Sequence, residues 1–232
     1  MQKPDLGSLT AFLNQFSIII FDLDGVILDS ARLKVNCMRQ ALTDFDSGVV
    51  EAFLNCFTQE FGQSRQHHFK NFYFNFLKEN QGFESFYDAY EPRYAHILNQ
   101  HYTDVDLCAY ASTLIPGLNH KKLFIATGTV TEEAEEVLTK KNLGHYFESI
   151  YGSPLEKSDI VNQIIHQQDE PRDKFILIGD ALHDRNSACA NQIPFLFVER
   201  HALINREEIR NDSTIPFYMV DCLNPEALVT HS

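Results

Sequence analysis

The sequence predicts an α/β fold: a doubly wound parallel sheet that carries an inserted helical domain. Four short, nearly continuous apolar runs, FSIIIFD at 16–22, KLFIAT at 122–127, KFILIG at 174–179 and PFLFV at 194–198, suit strands covered on both faces. Helical patterns over Glu132 to Lys141, Ser158 to Gln168 and Asp184 to Ala190 alternate with these runs, which is the signature of parallel strands joined by crossover helices. Between the first two runs, residues 30–114 have apolar positions at helical spacing and no strong strand run.

The core domain is therefore expected over residues 1–29 and 115–232, and a helical cap over 30–114, with Pro116 and Gly117 marking the return. In the cap, Phe69, Phe72, Tyr73 and Phe76 recur at i, i+3, i+4 and i+7, a stripe that predicts the packed side of a helix rather than a ligand-stacking surface. In VTEE at 130–133, Thr131 can cap a helix whose first turn is acidic. Phe217 to Val220 reads as a further strand.

The chain has 232 residues, 44% of them hydrophobic, which is ordinary for a globular protein, and a formal charge of −13. That charge argues against a sequence-independent grip on nucleic acid, which needs clustered Lys and Arg. A small anion would need a metal ion, a helix N-terminus or a few placed cations. No basic and apolar leader opens the sequence and no run approaches a membrane span, so a cytoplasmic protein without a membrane partner is expected. The five cysteines, Cys37, Cys56, Cys108, Cys189 and Cys222, are widely spaced and form no CxxC pair, which predicts reduced thiols.

The chemistry begins in FDLDGVILDS at 21–30. An apolar strand ends in Asp22, placing this carboxylate at the carboxyl edge of the sheet, where open α/β folds bind ligands. Asp24 can share the crevice if Gly25 permits a tight turn. Two such carboxylates can divide the work of nucleophile or metal ligand and proton carrier if their environments separate their pKa values. The competing reading is a pair of ordinary turn residues. Asp44 with Asp46 and Asp104 with Asp106 follow no apolar strand and read as solvated loops. A calcium loop does not fit, since the glycine comes too early and a third acidic ligand is missing.

In IATGT at 125–129, Thr127 and the backbone N–H groups that follow, Gly128 included, can donate to phosphoryl oxygens. Lys157 can neutralise a phosphate and a nucleophile's charge, although a lone lysine is ordinarily a solvated surface residue. In IGDALHD, a strand delivers Asp180 to its end with Asp184 four residues on, and Asp180 can join Asp22 around a hard cation such as Mg²⁺ if the two strands are neighbours.

FDLDG, IATGT, Lys157 and GDALHD, in this order, resemble the four motifs of the haloacid dehalogenase superfamily of phosphohydrolases, from about Ser17 to Val198. The helical insertion looks like the C1 cap of its phosphoglycolate phosphatase and β-phosphoglucomutase branch. The resemblance implies that Asp22 is the nucleophile, Asp24 the general acid and base, and that Thr127, Gly128 and Lys157 bind the phosphoryl group. It also implies Mg²⁺ held by the Asp22 carboxylate, the Asp24 backbone carbonyl and Asp180, with Asp184 close behind. Departures are Ala181, where serine is frequent, Arg185 and Asn186, where small or apolar residues are usual, and Asn191, where a left-handed glycine is common.

In the cap, GQSRQHHF at 62–69 resembles a G-x-S-R stretch of phosphatase-like members, and YGSPLEK at 151–157 resembles their third-motif loop, hinting at a phosphorylated sugar or sugar acid. Arg65 is the cap residue suited to contact an anionic substrate, against a surface reading that His67 and His68 share. The function expected is a Mg²⁺-dependent phosphatase acting on a small phosphorylated metabolite, as a monomer or weak homodimer. A phosphomutase is the alternative. A dehalogenase, which normally lacks the second aspartate, a phosphonatase using Lys34, and an inactive binding protein fit less well.

Overall fold

The computed structural model describes residues 6–209 and 214–231. A seven-stranded sheet runs through the core in the order β3-β2-β1-β4-β5-β6-β7, where β1 is Ile18–Phe21, β2 Lys122–Val130, β3 Ser149–Ser153, β4 Phe175–Gly179, β5 Phe195–Val198, β6 Phe217–Val220 and β7 Thr230–His231. The first six strands are parallel, and only β7 pairs antiparallel. The chain starts in the middle of the sheet at β1, builds outward to β3, then crosses back to β4, so a topological switch lies beside β1.

Alternation along the apolar strands divides the core between two faces. Ile19, Phe21, Leu123, Ile125, Ile176 and Ile178 belong to one apolar cluster, together with Leu9, Phe12 and Leu13 of helix α1 (Leu9–Leu13) and Val137 and Leu138 of helix α7 (Thr131–Lys140). Ile18, Ile20, Phe124, Phe175 and Leu177 belong to the other, with Ile160, Val161 and Ile164 of α8 (Lys157–Gln167) and Ala188 of α9 (Leu182–Asn191). Each buried Ile or Phe contributes roughly 1.5–3 kcal/mol of apolar transfer, so both faces hold the sheet.

Between β1 and β2 lie α2 (Ala31–Ala41), α3 (Ser47–Gln59), α4 (Arg65–Asn71), α5 (Phe83–Asn99) and α6 (Ala111–Gly117). The aromatic stripe packs as predicted: Phe69 and Phe72 are fully buried, and Phe72 meets Phe53 at 4.9 Å between ring centroids. A π-helical turn at Phe72–Phe76 interrupts the helix there. The chain enters and leaves this insertion along two adjacent segments. Cys108 N–H donates to the Ile27 carbonyl at 2.8 Å, Asp29 N–H donates to the Asp106 carbonyl at 2.9 Å, and Leu28 and Leu107 form an antiparallel bridge.

Four details differ from the sequence expectations. Strand β3 pairs only with β2 at the sheet edge and is half-buried, so it needs no continuous apolar run to announce it. Helix α6 runs across the expected boundary at 114/115 because Leu114 and Ile115 are buried and Pro116 enters only in its last turn. Thr131 does not cap α7; Val130 stands at that position, and the Thr131 hydroxyl accepts the Gly152 N–H at 3.0 Å. The left-handed residue after α9 is Gln192, while Asn191 stays helical and donates from its side chain to the Ser158 and Ser187 carbonyls, tying α9 to α8.

The other acidic pairs serve local structure. Asp46 caps α3 by accepting the Gly48 and Val49 N–H groups, Asp44 pairs with Arg93 at 2.6 Å, and Asp104 pairs with Lys140 at 2.6 Å on the surface. No helix among the described residues is long and apolar enough to cross a membrane.

Candidate active site

Register brings the motif residues to one edge. Phe21 pairs with Ile125 of β2 on one side and Ile178 of β4 on the other. Asp22 thus follows β1 between Thr127 and Asp180, and its N–H still donates to the Ile178 carbonyl at 2.8 Å. Gly25 then turns the chain with φ +84°, and a Cβ there would stand 2.0 Å from Asp180 Oδ2, so glycine meets both the dihedral and the space requirement.

Asp22 and Asp180 are buried, and among the described residues none of their four carboxylate oxygens has an aligned hydrogen-bond donor. Lys157 Nζ stands 2.9 Å from Asp22 Oδ1 as an ion pair. Lys157, the first residue of α8, is itself fully buried and also binds Asp184 Oδ1, which removes the surface reading. Asp184 Oδ2 accepts the Asp180 and Ala181 N–H groups at 3.1 and 3.0 Å, so this carboxylate also closes the start of α9.

Electrostatics separate the carboxylates. Burial is the main reason the Asp22 carboxyl is pushed up to about 7; Asp184 and Asp24 add to the rise and Lys157 opposes it. Asp180 is raised well above the usual range by burial, then by Asp22 and Asp184. Burial acts to lower the Lys157 ammonium, yet Asp184 and Asp22 outweigh it and hold the group charged. One oxygen each from Asp22, Asp180 and Asp184 lie within 4.8 Å of one another, a group that could hold a metal ion. The destabilised oxygens of Asp22 and Asp180 fit a hard cation, which would offset the carboxylate charge that Lys157, shared between Asp22 and Asp184, leaves uncompensated.

Asp24 is the opposite case. Ser30 and Tyr102 donate to its Oδ1, and Lys34 and Thr129 donate to its Oδ2, with Tyr102 at 2.8 Å and Thr129 at 2.7 Å. Burial alone would raise its pKa, but Lys34 and the hydroxyls reverse the sign and lower it. Thr127 is buried beside Gly128 in the cavity wall, and its hydroxyl accepts the Thr129 N–H at 3.2 Å. The strand continues beyond the apolar run at 122–127 to Val130, with a register irregularity after Ala126, so the whole of IATGT lies within β2.

A family model for haloacid dehalogenase-like hydrolases matches residues 19–198, which contain every one of these groups. The chain belongs to the haloacid dehalogenase-like hydrolase family. Solved structures share its fold at low identity. A putative haloacid dehalogenase-like hydrolase from Bacteroides fragilis has a TM-score of 0.72 at 15% identity, over 90% of this chain and 98% of that one. A predicted phosphoglycolate phosphatase from Haemophilus somnus 129pt has 0.71 at 15%, over 90% and 95%. A predicted phosphatase from Clostridium acetobutylicum has 0.69 at 20%, over 87% and 93%. No curated protein matches the sequence.

The insertion of this family member covers the site. Gly62 and Gln63, in the loop before α4, press on the core: a Cβ on Gly128 would stand 2.4 Å from the Gly62 carbonyl oxygen and 2.7 Å from that of Gln63. Arg65 is buried, which overturns its surface reading, but its guanidinium is already bound by Glu91 of α5 at 3.0 Å and by Glu133 of α7, and stacks over Tyr94. It lines the cavity while strapping cap to core, so the structure does not present it as a free anion grip. Sequence reasoning gave no role to Ser30, Tyr102 and Thr129, and gave Lys34 only as a phosphonatase lysine. The signals available were the Ser30-to-Lys34 spacing of one helical turn and the second hydroxyl of IATGT.

Proposed function

We propose that this hydrolase is a Mg²⁺-dependent phosphatase that transfers the phosphoryl group of a small phosphorylated metabolite through an aspartyl-phosphate on Asp22. The observation that carries the reading is Asp22 itself. Its buried carboxylate has no aligned hydrogen-bond donor and sits beside an equally bare Asp180 and the charged Lys157. Asp22 Oδ2 accepts no hydrogen bond, so no donor has to be released before it attacks.

Asp22, Asp180 and the Asp24 backbone carbonyl would hold Mg²⁺, with Asp184 behind them. When bound, the cation supplies charge neutralisation for the carboxylates and the phosphoryl oxygens. Thr127 and the Gly128 N–H orient the phosphoryl group, and Lys157 offsets its charge. An Asp22 oxygen forms the bond to phosphorus as the ester oxygen leaves, and that oxygen takes a proton from Asp24. Asp24 is held ionised here, so the proton enters with the substrate, since a phosphate monoester is partly monoanionic near neutral pH. Water then attacks phosphorus, Asp24 takes its proton, and the bond to Asp22 breaks.

The test is to trap the phospho-enzyme. Wild-type protein quenched during turnover of a radiolabelled ester should carry acid-stable, hydroxylamine-labile phosphate, and Asp22→Asn should carry none while keeping its fold. Label on Asp22→Asn would place the nucleophile elsewhere.

A further inference from the structure

The space enclosed between Asp22 and the insertion is about 30 Å³, room for little more than water, so a substrate enters only when the insertion moves. Polar contacts between insertion and core, such as Lys34 to Asp24 and Thr129, are then open to rearrangement. Asp24 needs one of them to give way. A carboxylate offers about four acceptor positions, and all are filled: Ser30 and Tyr102 donate to Oδ1, Lys34 and Thr129 to Oδ2. One donor has to leave before a leaving group or a water can approach.

The cavity distinguishes the two oxygens. Lys34 and Thr129, the donors of Oδ2, line it together with Asp22 and Thr127, whereas Ser30 and Tyr102, the donors of Oδ1, are fully buried and stand outside its wall. Position along the chain separates the donors again. Ser30 follows Asp29, whose N–H bonds the Asp106 carbonyl across the paired segments, and Tyr102, in the 3₁₀ turn Tyr102–Asp104, stands four residues before Asp106. A swing of the insertion about those segments displaces the nearest groups least. Lys34 lies one helical turn further along α2 and carries its ammonium on a flexible four-carbon stem, so it is the donor that yields.

Building on the phosphatase reading, we infer that the two oxygens of Asp24 divide the work: Oδ1 is anchored, Oδ2 exchanges protons, and Tyr102 is the positioning residue that keeps Oδ2 aimed at the leaving oxygen. In the first step the proton that enters on the phosphoryl group passes to Oδ2 and from it to the leaving oxygen as the ester P–O bond breaks. In the second, Oδ2 takes a proton from the attacking water as the bond to Asp22 breaks, and releases it with the product. Tyr102 touches no reacting atom and gives up no proton.

Phenyl phosphate and 4-nitrophenyl phosphate have similar shapes but differ in how far the departing oxygen needs a proton, since the nitro-substituted phenolate leaves readily without one. Steady-state kcat/KM covers only the steps up to that departure, so hydrolysis of the phospho-enzyme, common to both esters, does not enter. Tyr102→Phe removes the hydroxyl and keeps the ring, whose centroid lies 5.1 Å from Lys34 Nζ. With Mg²⁺ present it should lower kcat/KM by about 10-fold on phenyl phosphate and by less than about 2-fold on 4-nitrophenyl phosphate. Ser30→Ala removes the other donor of Oδ1 and should give the same split, which serves if Tyr102→Phe folds poorly by calorimetry.

Equal losses on the two esters, or no loss on either, would assign the Tyr102 hydroxyl to the fold alone and overturn the inference while the phosphatase reading stands. A wild-type protein that releases phosphate from neither ester would remove that reading and the inference with it.

Discussion

Replacing Asp22 by Asn in the metal-free protein should stabilise the fold, and the gain should grow with pH. The carboxyl rises from 3.8 to about 7 on folding, with burial as the largest cause. A carboxyl whose folded value lies above its unfolded value favours the fold while protonated. That contribution is complete below about pH 4 and is lost as pH climbs through about 7. The gap of about 3 pH units, at ~1.4 kcal/mol each, sets about 4 kcal/mol against the folded state at pH 8. At pH 5 little more than 1 unit has been crossed, or roughly 2 kcal/mol.

Asn keeps the shape of Asp and cannot ionise. The advantage of Asp22→Asn should therefore widen by about 2 kcal/mol between pH 5 and pH 8, a relative rise of roughly 4–8 °C in Tm for a chain of this size. Differential scanning calorimetry in chelator at the two pH values reads this directly. Added Mg²⁺ should raise the wild-type Tm at pH 8 and leave the variant nearly unmoved, because the cation offsets charge on the ionised carboxylate that Lys157, shared with Asp184, does not offset in full. A variant destabilised equally at both pH values would show that Lys157 already satisfies Asp22 and would refute the desolvation argument.

Three further outcomes are expected. Chelation should abolish phosphate release and Mg²⁺ should restore it; full activity in chelator would remove the proposed metal site. Gly128→Ala sets a methyl against the Gly62 and Gln63 carbonyls, so it should hold the cap open and lower kcat/KM by about 10-fold or more with little change in Tm, which steady-state kinetics and calorimetry separate. Arg65→Ala leaves Glu91 and Glu133 without their guanidinium, and it should cost roughly 3 kcal/mol of stability and reduce kcat/KM alike on charged and uncharged esters. A loss confined to anionic substrates would instead make Arg65 a substrate contact.

The core half of the site was readable because strand periodicity and chemistry coincide there. An apolar run that ends in Asp22, and another that ends in Asp180, fix the place of each carboxylate once the strands are neighbours. The full bond pattern around Asp24 was not readable, since only Ser30 and Lys34 are linked by a local spacing, while Tyr102 and Thr129 come from 78 and 105 positions away. Arg65 was singled out for its chemistry, but its partners Glu91 and Glu133 sit on other helices, so its engagement emerges only on folding. His68 belonged to a polar-looking stretch, and only the packing of Phe57 against it reveals the apolar surroundings.

The paired segments that lead into and out of the insertion have a consequence for how such a chain can be built. Ile27 to Asp29 and Asp106 to Cys108 lie side by side with two backbone hydrogen bonds between them, so the insertion starts and stops within one ladder spacing, about 5 Å. A short turn could close that gap and leave the sheet's strand order untouched, making the helical part an exchangeable module on a permanent chassis. The shortened protein would keep Asp22, Thr127, Lys157 and Asp180. It would give up Ser30, Lys34 and Tyr102, three of the four donors that hold Asp24, so swapping the module would reset the proton carrier along with the lid.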